Sequence, residues 1–228
     1  MIKIVVGDCL ERMREFESES VNCCVTSPPY YGLRDYGTGQ WTGGDPNCDH
    51  VKQVNAHGGQ RADRDQTSQV FQYTDTCEKC GAVREDKQIG LEQTPEEYIE
   101  QLVQVFREVR RVLKDDGTLW VNIGDSYYNY RSGEAFVKQS VAKTKQDLPS
   151  FSPSRNNKLE GLKSKDLIGI PWMLAFALRA DGWYLRQDII WHKPNPMPES
   201  VKDRCTKAHE YIFLLSKKKD YYFDYYLM

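Results

Sequence analysis

Ser27-Pro28-Pro29-Tyr30 is the stretch of this chain whose residue types could do chemistry, because it follows the apolar run Val21 to Val25 with only Thr26 between. A proline cannot continue a β ladder, so the run reads as a buried strand that stops at a turn. In open α/β sheets the carboxyl ends of strands form the ligand crevice. The Ser27 hydroxyl and the Pro28 carbonyl are two acceptors there, and the Pro28 ring fixes where its carbonyl points. Each acceptor could take one hydrogen from the exocyclic amine of adenine or cytosine, whose lone pair is delocalised into the ring. Together they would pull the nitrogen toward tetrahedral geometry and localise that lone pair for attack on a methyl cation donor. No covalent adduct, and so no cysteine nucleophile, is needed. Tyr30 offers a face for a base taken out of the duplex stack, where stacking is worth about 1–3 kcal/mol. The competing structural reading is a strand-ending turn with an aromatic plug, and the strand before it and the Tyr after it weigh against that.

A second constellation is Cys48-Asp49-His50 with Cys77-Glu78-Lys79-Cys80-Gly81. A Cys-x-x-Cys-Gly turn aims two thiolates at one ion, and Cys48 with His50 would complete a tetrahedral Cys3His zinc site. The site would close a polar loop of 26 residues, 51–76, that cannot bury enough apolar surface to order itself. Closed four-ligand sites are structural. His57 is an alternative to His50 with less favourable spacing. A redox Cys-x-x-Cys lacks its strand–helix context here, and four solvent-facing residues without metal is the remaining alternative. Seven cysteines is an odd number, and three of them, Cys9, Cys23 and Cys24, beside apolar segments, read as small buried residues.

These residues need elements to hold them. Ile2 to Val6, closed by Gly7-Asp8, reads as a first strand, Cys9 to Phe16 as a helix with Leu10, Met13 and Phe16 on one face, and Val21 to Val25 as a strand parallel to the first. Thr94-Pro95-Glu96-Glu97 is a helix start, and Leu102, Val105, Phe106, Val109 and Leu113 keep the helical period. Gly117 then sits just past the helix end, before a strand over Thr118 to Ile123. A helix over Asp166 to Ala180 and strands over Trp183 to Trp191 and Glu210 to Ser216 follow, the last two as an antiparallel pair. Residues 40–90 read as an inserted zinc-knuckle loop and 131–165 as a flexible loop, within one catalytic domain over 1–228. The alternation predicts an α/β doubly wound sheet.

The segment Val25 to Tyr30 resembles motif IV of the amino-methyltransferases that modify N4 of cytosine or N6 of adenine in DNA. Lys3 to Asp8 resembles the strand ending in Gly-Asp before it, Gly117 to Asp125 resembles motif VI, and Asp188 to Pro196 resembles motif VIII. Lys207 to Phe213 resembles the strand after that. This is the order of the permuted β group, and it covers most of the chain outside 40–90 and 130–165. The resemblance implies a Rossmann-like S-adenosylmethionine-dependent methyltransferase fold in which Ser27, Pro28, Pro29 and Tyr30 handle the base. It implies that Asp8 binds the adenine end of S-adenosylmethionine, with Thr26 and Ser27 beside it. Asp8 as the N-cap of the first helix is the structural alternative. Trp191, His192 and Lys193 would wall the base pocket, with a loop anchor as the alternative. Relatives with Ser before Pro-Pro-Tyr are mostly N4-cytosine enzymes, which favours cytosine over adenine.

The group's glycine-rich cofactor motif has no match here, and Gly37-Thr38-Gly39 follows no strand and opens no helix. The sheet is therefore expected to be incomplete, with Val21 to Val25 near an exposed or partner-covered edge. The chain then reads as a fragment, a split enzyme awaiting a second polypeptide, or a degenerate relative. The net charge of −2 gives no global attraction to double-stranded DNA. Between Arg186 and Lys219, however, eight Lys and Arg face four acids, and Arg34, Lys193 and Lys202 are the phosphate candidates. No apolar run reaches the roughly 20 residues that cross a bilayer, and no signal peptide opens the chain, so a cytoplasmic place is expected. A DNA-binding module that has lost the cofactor, or a methyltransferase acting on a protein amine, are the other classes.

Overall fold

The computed structural model describes residues 2–32, 38–50, 52–53, 71–72, 76–128 and 159–227. They fall into two units, the first from Met1–Arg34, Ile89–Val141 and Ser152–Met228, the second from Asp35–Gln88 and Ala142–Phe151. The first contains helix α1 (Cys9–Arg14) and strand β1 (Val21–Thr26). The second contains β2 (Gln40–Thr42), β3 (Lys52–Gln53), β4 (Phe71–Gln72) and β5 (Val83–Glu85), paired as two antiparallel ribbons, β2 with β5 and β3 with β4. The first unit resumes with α2 (Pro95–Val112), β6 (Leu113–Ile123), α3 (Ile170–Ala180), β7 (Tyr184–His192) and β8 (His209–Ser216).

The sheet of the first unit runs β1-β6-β8-β7. β1 lies parallel to β6, and β8 is antiparallel to both of its neighbours, so the sheet is mixed with β1 on an edge, as expected. Its core faces the helices. Leu119, Val121, Ile123, Phe213 and Leu215 are buried together with Leu102 and Phe106 of α2 and Leu174 and Leu178 of α3. Helix α2 starts where the sequence says it must. Thr94 accepts the Glu97 N–H while the Glu97 carboxylate takes the Thr94 N–H, a capping box worth about 1 kcal/mol.

Three expectations are corrected. Ile2 to Val6 is not a strand: Ile2, Ile4 and Val6 are 93%, 84% and 82% exposed, and no neighbour among the described residues supplies a ladder. The parallel partner of β1 is β6 instead. Cys9 is exposed on α1, which buries none of its residues, and on the edge strand β1 Cys23 is exposed and only Cys24 is partly covered. Burial, with Cys23 beside it, pushes the Cys24 thiol up to about 11. Gly117 does not end the helix; α2 stops at Val112 and the chain is already extended from Leu113, with an irregularity in its pairing between Val21 and Cys23. Among the described helices, α2 packs against both α1 and α3.

Helix α3 is shorter than expected and begins at Ile170 after Gly169 at φ 88°, which has no side chain to cap it. Asp125, just beyond β6, does so from outside, its carboxylate accepting the Gly169 and Ile170 N–H groups at 3.0 and 3.1 Å. No described helix is long and apolar enough to cross a membrane. Residues 129–158 lie outside the described set, and with them most of the expected loop at 131–165. Leu159, at its far end, is buried and its N–H donates to the Tyr128 hydroxyl at 2.9 Å.

Leu119→Ala removes a fully buried side chain from the centre of the sheet. It should cost about 2–5 kcal/mol of unfolding free energy in urea. Val25→Ala, at a position 78% exposed, should stay within about 0.5 kcal/mol. Equal losses would contradict the one-sided core.

Candidate active site

β1 ends at Thr26, and the chain turns through Ser27, Pro28 and Pro29 into Tyr30. Two contacts fix this turn. The Tyr98 hydroxyl, from the buried face of α2, donates to the Pro29 carbonyl at 2.7 Å. The Gly32 N–H donates to the Gly90 carbonyl at 2.8 Å, and Gly90, at φ 102°, passes so close that a Cβ there would lie 3.0 Å from the Tyr30 carbonyl. Tyr31 is buried and packs tilted on Tyr98, with ring centroids 5.5 Å apart. Burial pushes the Tyr98 hydroxyl far above the usual tyrosine range, so it remains a donor.

Beyond the turn, Ser27 and Tyr30 converge on Asn122 of β6. The Ser27 hydroxyl donates to the Asn122 amide oxygen at 3.4 Å, and the Tyr30 hydroxyl reaches the same oxygen at 3.0 Å. The Asn122 nitrogen donates to the Tyr211 carbonyl of β8 at 3.2 Å, which leaves its oxygen to face the turn. The Tyr30 hydroxyl also lies 3.0 Å from the Glu210 carboxylate, so its single proton is divided between two acceptors. Lys193 closes the network in an ion pair with the other Glu210 oxygen.

The charges follow from this geometry. Burial pushes the Tyr30 hydroxyl up to about 12, offset in part by Ser27 and reinforced by the Glu210 charge, so it stays neutral at working pH. Burial alone would raise Glu210. The Lys193 ammonium and the Tyr30 hydroxyl outweigh it and hold the carboxyl below its ordinary range. Nearby, burial lowers the Lys207 ammonium, although Asp125 and Glu210 pull the other way, and its Nζ donates to the Asp125 carbonyl at 3.3 Å. Burial raises Asp125, although the Ile170 and Ser126 N–H groups oppose it.

Pairing places the neighbours. Glu210 stands opposite Trp191, and Ile212 stands opposite both Asn122 and Ile189. Side chains of directly paired residues share a sheet face, so Asn122, Glu210 and Trp191 lie on one face at the carboxyl ends of β1 and β6. Trp191 is 51% exposed there, and His192 pairs with His209 one step further along. The Tyr30 ring rests against Gly124, where a Cβ would come within 2.6 Å of the ring carbon Cε2, so only glycine fits.

The structure thus brings Ser27, Tyr30 and Lys193 together, with Trp191 on the same face. Lys202 is exposed on the connection between β7 and β8. Asp8 caps α1, its carboxylate accepting the Leu10 and Glu11 N–H groups at 3.0 Å each. Arg34 and His57 lie outside the described residues. Much of the basic excess is internally paired: Lys217 lies 3.1 Å from Glu19 and 3.2 Å from Asp115, Lys218 pairs with Asp115, and Arg204 lies 2.5 Å from Glu199. Sequence reasoning missed Asn122, Glu210, Gly124 and Tyr98. Asn122 had a signal, an amide inside the otherwise apolar run Leu119 to Ile123, which needs a partner wherever it is buried.

In the second unit Cys48, His50, Cys77 and Cys80 do converge, their ligand atoms all within 4.8 Å of one another.

With this geometry in place the comparisons are direct. Residues 21–228 match the model of the DNA methylase family of N6 and N4 methyltransferases, and the chain belongs to that family. It is 47% identical over 223 residues to the type II methyltransferase M.SmaI of Serratia marcescens, covering 98% of this chain and 58% of that protein. It is 43% identical over 219 residues to M.Cfr9I of Citrobacter freundii, covering 96% and 55%. The chain thus spans little more than half the length of these relatives. Among solved structures, the cytosine-N4-specific PvuII DNA methyltransferase aligns with a TM-score of 0.49 at 16% identity, covering 95% of this chain and 49% of that one. A putative DNA modification methylase from Thermus thermophilus, complexed with S-adenosyl-L-methionine, aligns with a TM-score of 0.49 at 18% identity, covering 96% and 54%.

Because Glu210 is held below its ordinary range, the stability it contributes is present above the unfolded carboxyl value of about 4.3. It is lost as pH falls through the lower folded value. Urea unfolding between pH 7 and pH 3 should show this loss in the native chain, and the difference between native and Glu210→Gln proteins should shrink as pH falls. A difference that grows on acidification would contradict the sign.

Proposed function

We propose that this chain carries the base-handling half of a site-specific DNA methyltransferase that moves a methyl group from S-adenosylmethionine to an exocyclic base amine, N4 of cytosine. One observation carries the reading: the Ser27 hydroxyl lies 3.4 Å from the Asn122 amide oxygen, and with its proton turned there it presents a lone pair to an incoming group. An amine hydrogen is what such an oxygen receives, and the Pro28 carbonyl is offered as the second acceptor. The amine nitrogen, its lone pair localised, forms the new N–C bond as the donor's S–C bond breaks, and one amine proton is released. Tyr30, kept neutral and fixed by Asn122 and Glu210, gives the extruded base an aromatic wall, and Trp191 gives it another. A neutral Ser27 places no negative charge beside the developing ammonium, and the choice of cytosine over adenine N6 rests on the resemblance.

The methyl donor supplies an electrophilic methyl group when bound. The residues fit it on one point. Asp8 uses one carboxylate oxygen on the α1 amides, which leaves the other for a donor on the adenine end. Asp8, Thr26 and Ser27 are therefore assigned to hold it. A further segment or a second polypeptide completes that pocket in this reading, which draws on β1 having no outer neighbour among the described residues and on the exposed Ile2, Ile4 and Val6. Duplex DNA is the partner. Lys193 is committed to Glu210, so Lys202 and Arg34 are the better phosphate contacts, with His192 at the pocket rim.

Calorimetry of the purified chain with S-adenosylmethionine separates an enzyme from a DNA-binding module, which would give no heat. In the assembled enzyme, Ser27→Ala should lower methyl transfer by at least about 100-fold while leaving DNA affinity largely intact, because its bond matters most in the transition state. Nucleoside mass analysis of the modified DNA should find N4-methylcytosine. N6-methyladenine alone would overturn the target, and unchanged activity would overturn the mechanism.

A further inference from the structure

We propose that the second unit is a zinc module, with one Zn2+ held by the thiolates of Cys48, Cys77 and Cys80 and by Nδ1 of His50. The four ligand atoms come from two stretches more than 25 residues apart, yet all lie within 4.8 Å of one another. Cys48 and Cys77 sulfurs are 3.8 Å apart, and Cys80 Sγ is 3.4 Å from His50 Nδ1. Ligands at about 2.0–2.3 Å from a tetrahedral zinc stand at about these separations from each other. Two sulfurs at 3.8 Å are also well beyond a disulfide bond of about 2.05 Å.

The backbone is built around the sulfurs. Cys77 to Ala82 is a tight turn in which the Cys77 N–H donates to the Ala82 carbonyl at 2.7 Å and the Gly81 N–H to the Cys77 carbonyl at 2.8 Å, with Gly81 at φ 74°. On the other side Asp45-Pro46-Asn47-Cys48 closes a turn, with the Cys48 N–H on the Asp45 carbonyl at 3.0 Å. N–H groups point at the sulfurs: His50 N–H at Cys48 Sγ, 3.4 Å away, and the amides of Asp45 and Ala82 at Cys80. His50 takes a left-handed φ of 51° and stacks on Trp41, centroids 4.8 Å apart, which sets its ring plane. Gly44, at φ 71°, leaves room for Cys80: a Cβ there would be 2.7 Å from its sulfur.

Apolar burial in this unit is slight among its described residues. Among its described residues only Cys77 and Ala82 are buried, far too little apolar surface to fix a fold. Such a unit is ordered by its ion, as small metal domains are. Three thiolates and one imidazole, all four positions filled by protein, select zinc and leave no vertex for substrate, so the site is structural.

The test uses the full chain purified without chelator. Elemental analysis should find about one zinc per chain. Replacement by Co2+ should give the intense visible absorption of tetrahedral thiolate-bound cobalt. Cys48→Ser and Cys77→Ser should lose the metal, and Gly44→Ala should bind it roughly ten-fold or more weakly. Cys205→Ser, a cysteine outside the cluster, should keep it. In the native protein a thiol reagent should release zinc as it modifies Cys48, Cys77 and Cys80, and not when only the exposed Cys9, Cys23 and Cys205 have reacted, a readout independent of whether any variant folds. Protein without zinc, full zinc in Cys48→Ser, or a disulfide between Cys77 and Cys80 would each overturn the proposal.

Discussion

The amide of Asn122 has two ends, and the Tyr211 carbonyl takes one of them. That bond between neighbouring strands settles which end meets the Ser27 and Tyr30 hydroxyls. Were the amide reversed, a nitrogen would face two hydroxyls, Ser27 would turn its proton outward, and the acceptor role proposed for it would become that of a donor. The chemistry assigned to the turn therefore depends on a contact made on the far side of β6 from β1.

Strand order makes that contact possible. β6 stands between β1, which brings the Ser27 turn, and β8, which brings Glu210 and Tyr211. The parallel β1–β6 pair puts both carboxyl ends at the same edge, and the antiparallel β8 delivers its first residues there. β7 and β8 meet through His192 and His209, which sets Lys193 beside Glu210. The charge balance then looks after itself. Lys193 keeps Glu210 ionised, and Glu210 with Asn122 holds a tyrosine hydroxyl that burial keeps protonated. Ser27, Tyr30, Asn122, Glu210 and Lys193 each have a partner within the site, while α2 and α3 cover the opposite face with apolar side chains.

Much of this was legible in the sequence where a local rule had no competitor. The Thr94 to Glu97 cap, the apolar period of α2 and the β7–β8 pair follow from propensity and pattern, whereas the edge position of β1 was expected from the unmatched cofactor motif of the resembled family. The proline pair marked the site because it breaks a ladder wherever it occurs. What could not be read depended on partners distant in sequence. Ile2 to Val6 has strand composition, but a strand exists only beside another, and none of the described residues supplies it. Asn122 and Glu210 looked like incidental polar residues until pairing set them on one face. Cys23 looked apolar enough to bury, but an edge strand leaves it exposed. The four metal-ligand candidates were readable because Cys-x-x-Cys-Gly is a local signal, whereas Gly44 and Trp41, which shape the site around them, are recognisable only in three dimensions.

The central claim is that Ser27 and Asn122 act as one unit on the amine. A double-mutant cycle of Ser27→Ala and Asn122→Ala, read as single-turnover methyl transfer to duplex DNA by the assembled enzyme, tests it most directly. If Asn122 works by fixing the Ser27 proton, the two losses overlap, and the double variant should be little slower than either single one. Losses that multiply would mean the two residues act independently, and would contradict the account.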